Sequence, residues 1–167
     1  MLSSYLFSSE TTMIKTEEFK KWLVILLAET FGVSDSPHGF MLDDGKAGLL
    51  GTINGINAAT ASSTLKPDRE TIASHCGHIL FLLRLYDAYE QGQRPEHDWV
   101  GSWATHEVDD AAWDTLRTDV QTAYEAVIQH IHARDEWIEP PLSASMILLA
   151  HCAYHVGEIK QLLTSLS

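Results

Sequence analysis

The sequence predicts an all-α protein: a four-helix bundle with one short extra helix in its first crossover. Three observations lead there. Four long segments repeat apolar residues at i, i+3, i+4 and i+7, the spacing of a helix with one buried face. Alternating, strand-like patterns are nearly absent. The 167 residues are 45% hydrophobic and contain no internal repeat or low-complexity tract, as expected of one domain with its own core.

The elements follow in order. Residues 1–15 are Ser/Thr-rich and are expected to be a loosely ordered segment ahead of a single domain over 16–167, with Met13 competing with Met1 as the natural start. Recognisable helix begins at Thr16. Phe19, Trp22, Leu23, Leu26, Leu27 and Thr30 give it a periodic face, Glu17 and Glu18 suit its positive N-terminal end, and Gly32 follows Phe31 as a stop. A loop from Val33 to Lys46 contains Pro37. Leu49, Leu50, Ile53 and Ile56 then mark the short helix, which Gly48, Gly51 and Gly55 weaken by roughly 1 kcal/mol each.

A polar connection from Ala61 to Pro67 leads into a strong helix from about Arg69 to Gln91, with Asp68 as its cap and Gly92 beyond its end. The loop Gln93–Val108 holds His97, Trp99, Trp103 and His106. Asp109 or Asp110 caps the next helix, which reads through Trp113, Leu116, Val120, Tyr124, Val127, Ile128 and Ile131 to about Trp137. Pro140-Pro141 break the chain, and Ser143 is the expected N-cap of a last helix to about Leu166.

That last helix carries the most informative residues, His151-Cys152-Ala153-Tyr154-His155. Four residues advance a helix by about 400°, so the two imidazoles lie one turn apart and about 40° around. They continue an apolar stripe of Ile147, Leu148, Tyr154, Glu158, Ile159 and Leu162. A His pair at i, i+4 is a common way to offer two metal ligands from one rigid element. Two satisfied core histidines are the competing reading. No Glu follows the first His, so the metalloprotease base of HExxH is missing. A third ligand would come from Ile72-Ala73-Ser74-His75-Cys76-Gly77-His78-Ile79, where periodicity does not choose between His75 and His78. Cys152 lies about 100° from His151 and Cys76 about 200° from His78, so both thiols read as small buried packing residues.

These motifs resemble the DinB-like family of damage-inducible proteins, small four-helix bundles. Ile72 followed six residues later by Gly77-His78-Ile79 matches that family's first ligand motif, and His151-x-x-x-His155-Val156-Gly157-Glu158-Ile159 is a close match to its last. The resemblance covers about Thr16 to Leu166 in helix order and is specific at these two motifs. It implies a three-histidine site of His78, His151 and His155 for a divalent transition metal such as Zn, Ni or Fe. Glu158 stands where the family usually has Gln, which places a carboxylate beside the site as a partner of a ligand or an extra ligand. Tyr154 either packs or offers its hydroxyl to something bound at the metal. The resemblance further implies a metal-dependent enzyme, of thiol-dependent transferase or hydrolase type, acting on a small molecule such as a low-molecular-weight thiol, and a homodimer. The bulky Trp22, Val24 and Ile25 of the first helix would serve that interface or simply a broad core contact. The other class of function is a non-catalytic metal-binding stress protein, structural or acting through a partner.

Charge narrows the field. Eleven basic against 23 acidic residues give a formal net charge of −12, with no Lys/Arg cluster to neutralise phosphates, so nucleic acid and anionic membrane surfaces are excluded as partners. No apolar run reaches membrane-spanning length. Two cysteines make no disulfide framework, and Met1–Phe7 lacks the basic region of a signal peptide, so a reducing cytoplasm is expected. GxSxG, Walker A, dinucleotide and CxxC motifs do not occur. His130 and His132 face different ways on their helix. His97 and His106 are expected to be solvated or to line the mouth of a metal pocket. Trp99 and Trp103 are expected to anchor their loop on the bundle, with a substrate platform as the other reading.

Overall fold

The structure, a computed structural model, describes residues 16–34, 39–42 and 47–166. The expectations about residues 1–15, Met13 and Pro37 lie outside them. Among the described residues there are six α-helices, one 3-10 turn and no strand: α1 (Thr16–Phe31), α2 (Leu49–Asn54), α3 (Ala58–Ala61), α4 (Ile72–Glu90), the 3-10 turn Gly101–Trp103, α5 (Asp110–Ala133) and α6 (Pro141–Leu166). No helix among them is long and apolar enough to cross a membrane.

The four long helices close a ring. α4 packs on α5 and on α6, and α1 closes the other side against both. Inside lie Leu27 and Phe31 of α1, Ile72, Ile79 and Leu83 of α4, Val120, Val127 and Ile131 of α5, and Cys152 and Ile159 of α6, all fully buried. Phe31 stacks on Tyr124 at 4.4 Å. Trp113 fills the end of the core and donates its indole N–H to the Ile56 carbonyl at 3.1 Å, tying the crossover to α5. That crossover holds two short helices rather than one. Gly55 ends α2, and Asn57 starts α3 by accepting the Thr60 N–H.

Three helix ends differ from expectation, each for a local reason. α4 is capped by Thr71, not Asp68: the Thr71 hydroxyl accepts the Ser74 N–H while the Ser74 hydroxyl accepts the Thr71 N–H, a reciprocal capping box. α5 stops at Ala133, because Arg134 is extended (φ −84°, ψ 126°), and Lys20 binds the exposed His132 carbonyl at 3.1 Å. α6 begins at Pro141, where the missing N–H costs nothing. Ser143 therefore sits inside the first turn, its hydroxyl donating to the Pro140 carbonyl at 3.1 Å. The buried stripe of α6 also lies slightly around from the expected one. Ser145, Leu148, Cys152, His155, Val156 and Ile159 face inward, while Ile147 and Tyr154 are exposed.

One buried charge organises the segment after α1. Glu29, 2% exposed, accepts backbone N–H groups from Phe40, Met41 and Leu42 at 2.8, 2.6 and 2.5 Å. Burial pushes this carboxyl up, but the three donors outweigh burial and hold it below its ordinary value. Gly39 is required here, since a Cβ at that position would lie 2.3 Å from the Glu29 carboxylate. Glu29→Ala orphans three donors and is expected to lower stability by roughly 2–4 kcal/mol in urea unfolding.

Candidate metal centre

α4 and α6 meet along a seam of imidazoles. His75 and His78 are one α4 turn apart and face inward because α4 is apolar nearly all round, so its contacts with both α5 and α6 draw side chains from most of its surface. His155 is buried in α6 and His151 is half-buried at the edge. Ligand nitrogens of His78, His151 and His155 all lie within 4.8 Å of one another. These are the three residues that the family resemblance implies, and His75, which periodicity left equally open, lies beside them.

The nitrogens are placed for a metal. His78 Nε2 faces His151 Nε2 at 3.2 Å. Two ligands each 2.0–2.1 Å from a tetrahedral zinc would be about 3.3 Å apart. The Ser102 hydroxyl donates to the Trp99 carbonyl at 2.7 Å and lies 2.7 Å from His78 Nδ1. With its proton committed to Trp99, it accepts N–H from His78 Nδ1, which leaves the His78 Nε2 lone pair for the centre. His155 Nδ1 is engaged by His75 Nδ1 at 3.1 Å, while His155 Nε2 is buried with no hydrogen-bond partner. An orphaned imidazole nitrogen in a dry seam is costly, and a metal ion would satisfy it. The residues fit a divalent metal.

Electrostatics prepare the same set. Burial lowers all four imidazole pKa values. Neighbouring imidazoles add to the effect at His78, which falls to about 4, and at His155, which falls to about 3. All four are neutral at pH 7, the form that binds metal. Trp103 covers three of them, stacking on His78 at 4.1 Å and meeting His75 and His155 edge-on at 5.3 and 5.4 Å. The loop reaches α4 at Gly77, where an added Cβ would sit 3.1 Å from the Thr105 hydroxyl. Trp103 and Ser102 are thus part of the site, beyond the anchoring role expected of the loop tryptophans, and Ser102 has no sequence signal at all.

The other candidate residues lie around this centre as follows. Glu158 is exposed and is outside the three-histidine cluster. The place beside His155 is taken by His75, on which Glu158 acts only through its charge. Tyr154 is 62% exposed and touches His155 by its ring edge. Both line a chamber of about 560 Å³ that opens onto His75, His155 and Trp103. Cys76 and Cys152 are free, fully buried core residues, as expected, with thiols pushed up to about 12 by burial. His97 and His106 are exposed and outside the cluster, and His130 pairs with Asp87 at 2.7 Å.

No family model, curated protein or solved structure matches this chain.

Two outcomes follow from this geometry. In the metal-free protein, the unfolded chain takes up protons on these histidines from pH 6.5 downward, while folded His78 and His155 do not until about 4 and about 3. Their effect is therefore nil above pH 6.5 and increasingly destabilising as pH falls through that window. Urea midpoints of EDTA-treated protein should drop from pH 7 to 4, and His155→Gln should flatten the drop. Ser102→Ala removes the acceptor that orients His78, and should weaken zinc binding about tenfold in chelator competition without unfolding the protein.

Proposed function

We propose that this protein is a metal-dependent enzyme of the DinB-like kind, its divalent metal held by His78, His151 and His155. The observation that carries the reading is the chamber of about 560 Å³ beside a centre of three neutral imidazoles. Three protein ligands leave a coordination position open, which is the catalytic rather than the structural pattern. The volume suits a small-molecule substrate.

When bound, the metal would supply a water or thiol acidified to near neutral pH. The chain's residues do the rest. His75 and Ser102 hold His155 and His78 in orientation. Trp103 keeps water from the seam and gives the substrate an aromatic wall. Glu158, on the α6 wall of the chamber beside His155, is a carboxylate available to accept a proton from the substrate, and Tyr154 on the same wall offers a hydroxyl. The substrate class implied by the family resemblance is a low-molecular-weight thiol, in transfer or hydrolysis. The half-exposed Trp22, edge-on to exposed Phe40 at 5.3 Å, is where we place a homodimer contact.

Elemental analysis of untagged protein, beside His151→Ala and His155→Ala, tests the centre. About one equivalent of a single transition metal is expected in the wild type and little in either variant. Loaded wild type should then turn over in thiol-transfer or hydrolysis assays, with both variants inactive. No metal as purified, and no uptake of added zinc or nickel, would sink the proposal.

A further inference from the structure

We propose that Lys66 and Arg69 form a two-cation clamp that seats a carboxylate of the substrate at the mouth of the chamber. The inference rests on the reading of that chamber as the substrate site, and it adds what the substrate must carry.

The chain is short of positive charge, and it places what it has carefully. The described residues include nine Lys and Arg side chains. Seven are engaged: Lys20, Arg84, Arg117 and Arg134 with carboxylates, Lys21 and Arg94 over aromatic rings, and Lys160 with the Ala47 carbonyl. Among the described residues, the Lys66 and Arg69 side chains make no hydrogen bond, ion pair or ring contact, and both line the chamber that reaches His155.

Their spacing is built. Lys66-Pro67-Asp68-Arg69 is a β-turn closed by the Arg69 N–H donating to the Lys66 carbonyl at 3.2 Å. Proline at the second position and a positive φ at the third, 53° at Asp68, are the type II pattern. Aspartate tolerates that φ better than most residues. The first and fourth residues of such a turn have Cα atoms within about 7 Å of each other, so one ligand group can meet both cations. Thr64 Oγ1 braces the turn, 2.8 Å from the Lys66 carbonyl and 3.2 Å from that of Arg69.

The rest of the lining selects the ligand. Asp68, Glu70 and Glu158 also face the chamber. Three acids against two cations oppose a doubly charged phosphate and leave room for a singly charged carboxylate. Leu65, Leu162 and Trp103 supply an apolar surface for the body of the molecule. A carboxylate on Lys66 and Arg69 would thus fix the substrate's far end while its near end points to the imidazoles.

The test is titration of the full chain, zinc-loaded and EDTA-treated, with 3-phenylpropanoate, 3-phenylpropanamide and phenyl phosphate, followed by NMR. The EDTA-treated sample separates the clamp from any attraction of a carboxylate to zinc. Two exposed charge contacts should make the acid bind about fivefold tighter than the amide in both samples, with phenyl phosphate weaker than the acid. Lys66→Met/Arg69→Met should abolish the preference and leave amide binding and melting temperature unchanged. In the EDTA-treated sample, equal binding of acid and amide, a preference that survives the double substitution, tighter phenyl phosphate, or no binding of any probe would each overturn the proposal. Zinc uptake measured on the same protein reports the metal centre separately. Its failure would sink that reading while leaving the clamp result intact.

Discussion

The site depends on the enforced neutrality of four imidazoles packed against one another between α4 and α6. A seam between two core helices is ordinarily filled by aliphatic side chains, which need nothing but contact. Imidazoles in the same place must stay uncharged, and every ring nitrogen needs a partner. Burial provides the first condition, lowering all four pKa values, and neighbouring imidazoles add to it at His78 and His155. The second is met by Ser102 for His78 Nδ1 and by His75 for His155 Nδ1, while the Nε2 atoms of His78 and His151 face each other across the centre. One buried nitrogen, His155 Nε2, remains without a partner. The demand for a metal arises from that imbalance as much as from the number of histidines.

The architecture around the seam divides a dry side from a wet one. Cys76, Cys152, Ile79 and Ile159 are fully buried. Trp103 is half-buried and spans the boundary, stacked on His78 yet lining the chamber. It is carried by a 3-10 turn pressed onto α4 where Gly77 permits close approach. The chamber is walled from one side by α6 and from the other by the segment leading into α4, so it needs both to exist. Lys66, Asp68, Arg69, Tyr154 and Glu158 there, unlike the residues of the seam, are exposed and can meet a ligand, whereas Glu70 is half-buried and faces His106.

Much of this was legible in the sequence. The four long helices were, because apolar spacing in α1, α4, α5 and α6 reflects local geometry. Cys76 and Cys152 read correctly as packing residues. The helix ends were less legible. Thr71 outcompetes Asp68 as the α4 cap because Ser74 can reciprocate, and Pro141 displaces Ser143 because proline is pre-set for a first helical position. The inward stripe of α6 is only partly legible in its sequence. The helix is apolar nearly all round, so periodicity alone does not distinguish Tyr154 from Cys152 as the inward residue. Ser102 was invisible, a serine in a loop with no pattern to mark it.

What the sequence by itself determined is the helical class, the spacing of His151 and His155 on one helix, and the shortage of positive charge, since these depend on residue type and on distances of a turn or less. What only the tertiary structure decided is which nitrogens face one another. His75 became the partner of His155, His78 came to oppose His151, and the Lys66–Arg69 turn came to overlook the chamber. Each of these joins residues far apart in the chain, and their separation in space is set by how α4, α6 and the intervening loop pack, which no local pattern encodes.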